Sequence, residues 1–290
     1  MSSITKRPQT LFAMAQAVYN ESFRMKLTLL GAGVAFFGLL ALFPGIGAMM
    51  AIAGILADPQ QVVDQLSVLQ GVVPQAAYDI IVNQAQSVAG SDSGGLGLAA
   101  LFGILVALYS ASKAMQGLMD GLNLIHETEE DRGIIRATLT KLGLTLGLIL
   151  GVLFCVAVAA IVPAVLTWLP LGGATETAVM LLRWPVLLAI AAFGMILTYR
   201  IAPARHFRGW GPLVPGAALA CVMWIVGSAA FAIYVRYFGS YNETFGAIGG
   251  TIILLVWMWL SSCIVLLGAL VSKLLERKSS ERKVSRESEA

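Results

Sequence analysis

Long apolar runs dominate the pattern of residues along this chain. A helix that crosses a bilayer needs about 20 mostly apolar residues, because the hydrocarbon core is about 30 Å thick and each helical residue rises about 1.5 Å. Six stretches meet this requirement: 27–57, 96–118, 142–168, 179–199, 213–238 and 247–271. Within lipid, backbone polar groups must be satisfied inside each segment. The pattern therefore predicts an all-α, polytopic membrane bundle with six transmembrane helices over residues 27–275.

Polar segments flank and connect these runs. A helix in the leader, residues 1–26, would either lie at the membrane interface or pack on the bundle, since one face of it carries Leu11, Phe12, Ala15, Val18 and Tyr19. The connection 58–95 has helical spacing on both sides of a break at 71–74, which predicts two short amphipathic helices. Packing on the bundle rim or binding a partner would both suit them. The tail, 276–290, has no apolar pattern and predicts disorder.

The charge distribution predicts the orientation of the chain. The composition is 58% hydrophobic and 12% charged, with a mean hydropathy of +0.82, which excludes a soluble globule. The net charge is +3, and 17 of the 19 basic residues lie in the leader, the second and fourth connections and the tail, or, for Lys113 and Lys273, at the ends of the spans that lead into them. We name this the basic side, and the opposite one the far side. By the positive-inside rule the basic side is cytoplasmic, so both termini are predicted to be cytoplasmic.

The reactive residue types show no catalytic or metal-binding pattern. Cys155, Cys221 and Cys263 lie apart in separate apolar runs, and His126 and His206 are predicted to be solvated in polar loops. The consecutive acids 129–131 are typical of a solvated charge run, although paired carboxylates can also hold metals or exchange protons. The sequence thus predicts a protein that is not an enzyme and has no metal or cofactor.

Several features inside the runs are candidates for function or packing. Phe43, Pro44 and Gly45 lie near the middle of the first run, where proline predicts a kink or a break, and broken helices recur in transporters. Asp120 and Asn123 could line a polar cavity or form interhelical hydrogen bonds.

A stripe of small residues in the third run predicts close helix packing. It consists of Gly143, Gly147 and Gly151, which recur every fourth residue. The partner helix could belong to the same chain or to another copy, so a homo-oligomer is left open.

The second half of the chain resembles a known family. The residues that carry the resemblance are Arg183-Trp184-Pro185, Tyr199-Arg200-Ile201-Ala202-Pro203, Pro215-Gly216-Ala217, the segment 234–246 with its Gly-Ser-Tyr-Asn-x-x-x-Gly motif, and Leu267-Gly268-Ala269. With Leu42-Phe43-Pro44 and Leu122-Asn123, they are similar to the BrkB/YihY family of bacterial inner-membrane proteins from about residue 10 to 275. Phe245 departs from the tyrosine common there. The resemblance implies an inner-membrane location, and the family has been associated with serum resistance, transport and, doubtfully, ribonuclease activity.

Three functional hypotheses follow from these observations. The first is transport of an envelope component such as a lipid, through a groove formed by the Pro44 break and Gly239, Ser240, Tyr241, Asn242 and Gly246. The second is a scaffold or envelope-integrity factor that docks partners on its loop and tail. The third is a ribonuclease acting through Glu129, Glu130 or Asp131, which fits the residues least well. Membrane lipids are the expected partners, and nucleic acid is not.

Overall fold

Helices make up almost all of the described chain. The computed structural model describes residues 11–56, 63, 66–70, 75–89, 96–168, 173–205, 209–238 and 240–287. Its α-helices are α1 (Leu11–Arg24), α2 (Leu27–Leu56), α3 (Gln75–Ala89), α4 (Leu96–Ile125), α5 (Ile134–Trp168), α6 (Gly173–Ile201), α7 (Leu213–Phe238) and α8 (Ser240–Glu287), with a short 3-10 turn at Leu66–Leu69. The predicted all-α class is confirmed.

The six predicted spans correspond to α2 and α4–α8. Each is long and apolar enough to cross a membrane. Several of them extend beyond their apolar runs, because polar residues at a membrane surface can continue a helix that has already formed. On the basic side, for example, α4 continues to Ile125 and α5 begins at Ile134, so their connection is only eight residues long.

The first span passes through Pro44 without interruption. α2 is a single helix from Leu27 to Leu56, so of the kink and the break predicted as alternatives at Phe43, Pro44 and Gly45 the break is excluded. An interior proline costs about 3 kcal/mol, but opening more backbone within lipid would leave further unsatisfied groups. α4 runs beside this part of α2, and a Cβ atom built on Gly103 would lie 3.9 Å from the Pro44 carbonyl oxygen.

A buried core forms where the spans meet on the basic side. It joins the start of α2, the end of α4, the end of α6, the start of α7 and the later part of α8. Its large members include Leu27, Met119, Leu122, Ile125, Tyr199, Leu213, Leu266 and Leu270. The start of α2 and the later part of α8 both contribute to this core. α1, which precedes α2, therefore lies at the same end of the bundle as the end of α8.

Two glycines allow the closest helix contact in this core. A Cβ atom on Gly268 of α8 would lie 2.6 Å from the Tyr199 hydroxyl and 2.8 Å from the Gly216 carbonyl oxygen. A Cβ atom on Gly216 of α7 would collide with Ser272 and with the Gly268 carbonyl. Tyr199 is fully buried, and its hydroxyl donates a 2.6 Å hydrogen bond to the Val265 carbonyl. The backbones of α7 and α8 are therefore in close contact, and the Tyr199 side chain joins α6 to them.

A second, smaller core lies on the far side. α3 packs on α2 through a cluster that contains Ile46, Met50 and Ala85, and its Ile80 approaches Gly250 of α8. α3 is the second of the two helices predicted in 58–95, and it packs on the bundle rim. Most of the first lies outside the described residues, and its described part at Leu66–Leu69 is a 3-10 turn.

The leader helix combines two environments. α1 packs Val18 against the basic-side core, as the alternative of packing on the bundle predicts. Next to Val18 around the helix, Phe12, Tyr19 and Phe23 are each more than 60% exposed, in a stripe that would suit the membrane interface. Packing and interfacial exposure thus occur on different faces of one helix.

The C-terminal tail differs from the prediction of disorder. α8 is 48 residues long and continues to Glu287. Lys, Arg and Glu are good helix formers, and a helix that already exists can be extended without the cost of a new nucleus. At about 1.5 Å per residue the helix is about 72 Å long, more than twice the hydrocarbon thickness of a bilayer.

Gly268→Ala tests the close contact of α7 and α8. The added methyl group would overpack against Tyr199, Ala220 and Gly216, so we expect a loss of about 1–3 kcal/mol in the free energy of unfolding. Gly147→Ala is the matched control, because nothing lies within 4 Å of its Cβ position. Unfolding of both variants would be followed in the same detergent. Equal stability of the two variants would contradict this packing.

Candidate functional site

Asn123 lies at the centre of a polar cluster on the basic side. This side chain near the end of α4 is only 6% exposed. Its Nδ2 donates to Glu130 Oε2 over 3.1 Å, and its Oδ1 accepts from the Ala204 backbone N–H over 2.7 Å. The residue thereby ties together α4, the connection to α5 and the end of α6. We call this cluster, with Arg24, His126, Glu127, Glu130, Arg132, Arg205, Lys273 and Glu276, the basic-side junction.

Arg132 connects the acidic loop to the end of α6. Its guanidinium pairs with Glu130 through contacts of 2.6 and 2.7 Å, and it donates to the carbonyls of Ile201 and Ala202 over 3.2 and 2.8 Å. These carbonyls belong to the last turn of α6, where intrahelical partners run out and the dipole favours a cation. The Arg132 guanidinium holds the pKa of Glu130 below its usual range. Glu129, Glu130 and Asp131 are all exposed, in agreement with the predicted solvated charge run, but Glu130 is in addition held by Arg132 and Asn123.

Ion pairs link the junction to α1 and α8. Glu127 accepts from Lys273 of α8 over 3.0 Å and from Arg24 of α1 over 3.2 Å, and the hydrogen bond from Lys273 lowers the pKa of Glu127. Arg205 pairs with Glu276 of α8 at 2.7 Å. The Glu127 pairs are largely exposed, so water and salt screen them and each contributes little to stability. Together they nevertheless fix the positions of four chain segments.

The turn after α4 is built around a left-handed residue. Glu127 has φ of 53°, and the Thr128 N–H donates to the Asn123 carbonyl over 3.0 Å. This is the arrangement that usually ends a helix at glycine, which has no Cβ penalty in the left-handed region. The turn directs the chain so that Glu130 can reach Asn123.

His126 is buried, contrary to the predicted solvated loop. It is 5% exposed, and its Nδ1 lies 3.5 Å from Arg205 Nη1. Burial, with the positive charges of Arg205 and Lys273, lowers the pKa of His126 to about 3. The sequence alone could have predicted this burial, because helical spacing places His126 on the same face of α4 as Leu122 and Met119, and that face is buried. His206 lies outside the described residues.

The other candidate residues are not brought into this junction. Asp120 is exposed on α4 and accepts a 2.8 Å hydrogen bond from Gln116. Phe43 and Gly45 are half-buried in α2. Gly239 lies outside the described residues, and of 240–246 only the helical backbone at the start of α8 is described. A groove between Pro44 and the segment 239–246 therefore stays a prediction.

The glycine stripe of α5 does not pack within the chain. Nothing lies within 4 Å of the Cβ positions of Gly143, Gly147 and Gly151, so a partner helix in the same chain is excluded among the described residues. The hydrophobicity of the sequence could not have predicted that the stripe lacks a partner in the chain, because an apolar helix face can lie equally well against lipid or against protein.

The middle of α5 is exposed around its whole circumference. Of residues 146–154, which we call the open stretch, none is buried. Thr145 just before it is 1% exposed and marks the face that points to the bundle. Ile149 and Leu153 follow on the same face, one and two turns later, and are 37% and 44% exposed. Protein therefore covers this face of α5 only in part, and we call the uncovered part of this face, at Ile149 and Leu153, the gap beside α5.

Arg132→Met tests the junction. The change would leave Glu130 and two carbonyls at the end of α6 without their donor, and we expect a loss of about 2 kcal/mol in the free energy of unfolding. Arg136→Met is the control, since Arg136 is an exposed residue one turn into α5. Chemical unfolding in detergent would compare the two. A control that loses as much stability as Arg132→Met would contradict the assignment.

Acid should destabilise the junction through His126. Its folded pKa of about 3 lies below the ordinary 6.5, so the unfolded chain takes up a proton that the folded chain excludes. Stability is complete above pH 6.5 and falls toward pH 3 by up to about 1.4 kcal/mol per pH unit. Thermal unfolding at pH 7.5 and 5.0 would show a smaller acid-induced decrease for His126→Gln than for the unchanged chain. Equal decreases would refute the burial of a neutral imidazole.

Comparisons with known proteins agree with this architecture. The family described as virulence factor BrkB matches residues 18–290. Ribonuclease-like protein YfkH of Bacillus subtilis is 30% identical over 255 residues, which cover 85% of this chain and 89% of that protein. No solved structure matches the chain.

Shorter matches connect the chain to membrane proteins of other bacteria. A UPF0761 membrane protein of Tolumonas auensis is 36% identical over 85 residues, 29% of this chain and 27% of that protein. A UPF0761 membrane protein of Klebsiella pneumoniae is 38% identical over 90 residues, 31% of this chain and 30% of that protein. The family match over most of the chain and the six apolar helices confirm the resemblance seen in the sequence: this chain is a multi-pass membrane protein that belongs to the BrkB family.

Proposed function

We propose that this chain is a non-enzymatic protein of the bacterial inner membrane, with cytoplasmic termini, that transports a lipid of the cell envelope. The observation that carries the proposal is the gap beside α5. In a bilayer, the space next to Ile149 and Leu153 must be filled by something apolar, and acyl chains are the available material. A lipid in this space would contact the bundle on one side and α5 on the other.

A cation on the neighbouring helix supports this proposal. Arg183 lies in the span 178–201, where a charged side chain is costly. Its guanidinium lies 5.1 Å from the ring centroid of Trp184, and its Nε is buried without a hydrogen-bond partner among the described residues. Such costly charges in membrane helices usually serve a ligand or a transport path. A lipid phosphate would be a suitable ligand for it.

The ribonuclease name of the Bacillus subtilis relative receives less support here. Glu130 is engaged with Arg132 and Asn123, and Glu127 is engaged with Lys273 and Arg24. These contacts serve to hold helix ends together. Release of either carboxylate for hydrolysis would require the junction to open.

Lipid movement in liposomes tests the proposal. Purified protein would be reconstituted with a fluorescent phospholipid, and transfer between leaflets would be read from quenching of the outer leaflet. We expect Ile149→Trp to lower the transfer rate several-fold, because the indole fills the gap. Leu150→Trp, on the face turned away from Thr145, is the matched control and should transfer lipid at the original rate. Absence of transfer by the unchanged protein, with and without an ion gradient, would refute the proposal.

A scaffold is the second candidate function, and the length of α8 favours it. The helix reaches Glu287, well past the span that ends at Lys278, and presents alternating bases and acids. A projecting charged helix would suit docking of a partner protein. Truncation after Lys278 separates the alternatives: a transporter would retain lipid transfer in liposomes, whereas a scaffold would lose a stoichiometric partner in crosslinking.

A further inference from the structure

A groove lies between the leader helix and the end of the last span. Its volume is about 350 Å³, and it is lined by Met14, Ala17, Asn20 and Glu21 of α1 and by Leu274, Arg277 and Lys278 of α8. Each wall combines apolar side chains with charged or amide groups. We call this site the basic groove.

The charges of the basic groove favour an anion. Glu21 is the one acid of its lining, and its carboxylate pairs with Arg24 at 2.7 Å. Arg277 and Lys278 contribute two positive charges on adjacent positions of α8. With Glu21 neutralised by Arg24, the potential within the groove is positive.

The surroundings of the groove place it at the membrane surface. On the same helix α1, Phe12, Tyr19 and Phe23 form the exposed aromatic stripe, and the Tyr19 and Phe23 rings lie 4.8 Å apart. Aromatic side chains of this kind are enriched at the level of the lipid headgroups. The groove is lined from another face of the same helix, within one helix diameter of about 10 Å from this stripe, so both lie near the headgroups of the leaflet on the basic side.

We propose that the basic groove binds the phosphate of an anionic phospholipid from that leaflet. Lys278 and Arg277 would contact the phosphate, and the Asn20 amide would donate to a phosphate or glycerol oxygen. Met14, Ala17 and Leu274 would contact the first carbons of the acyl chains. The bound lipid would join α1 to α8 and so hold the leader on the bundle. This site does not depend on the proposed transport.

Lipid retention by the full-length protein tests this site. Native mass spectrometry in detergent would count phosphatidylglycerol and phosphatidylcholine bound to the protein. Because each Lys or Arg near an anionic surface strengthens binding, we expect Arg277→Gln/Lys278→Gln, which removes two charges, to bind phosphatidylglycerol about thirtyfold more weakly. Arg136→Gln/Lys141→Gln removes the same charge on the same side and should bind it normally. Phosphatidylcholine should bind weakly throughout.

A second variant separates the groove from general charge attraction. Ala17→Trp fills the space without changing any charge, and it should reduce phosphatidylglycerol binding to a similar extent. Equal weakening by the Arg136/Lys141 control, or full binding by Ala17→Trp, would overturn the proposal. Glycerol phosphate that competes as strongly as the lipid would also overturn it, since the groove would then be a site for a soluble anion.

Discussion

The close approach of α7 and α8 at Gly216 and Gly268 is the contact on which the basic-side core depends. Water expelled from apolar surface drives packing in soluble proteins, but between helices in lipid this driving force is absent. Helices then associate where backbones can come near and where polar groups find partners. Both conditions are met beside Tyr199, whose hydroxyl reaches the Val265 carbonyl. The basic-side junction extends this contact with Asn123 and Arg132.

The same physical rule explains why packing is uneven across the bundle. α2, α4 and α8 pack along one another, and α3 covers the far end of this group. α5 is held at its basic end by the junction, and its open stretch then passes through lipid. Apolar side chains such as Leu150 and Phe154 gain nothing by leaving lipid for protein. An accessible gap can therefore persist in a stable fold, which is the property that a lipid pathway requires.

The sequence predicted what depends on length and composition. Hydropathy located six spans, and the basic residues placed alternate connections on one side, in agreement with the core that joins Leu27, Ile125 and Tyr199. It did not predict contacts that depend on which helices are neighbours. The burial of His126 requires α8 to lie over the end of α4, and the role of Arg132 requires the end of α6 to lie beside the loop.

At Pro44 and at the glycine stripe, local patterns left open alternatives that depend on the surroundings of the helix. Proline predicts a break when a helix is considered alone, but a lipid environment penalises open backbone more strongly than one missing hydrogen bond. Small residues at Gly143, Gly147 and Gly151 permit close packing without requiring it. In both cases the surroundings of the helix decided the outcome, and a single sequence does not contain them.

Transport of lipid by this chain requires that lipid reach the face of α5 that points toward the bundle. Nitroxide labels would be placed singly at Thr145, Ile149, Leu150 and Leu153, in a background without Cys155, Cys221 and Cys263, and the labelled proteins would be reconstituted in a bilayer. Collision with oxygen dissolved in the lipid would then be measured at each label. We expect high collision rates at positions 149, 150 and 153 and a low rate at position 145. Rates at 149 and 153 as low as at 145 would show that protein covers this face, and would contradict lipid access to it.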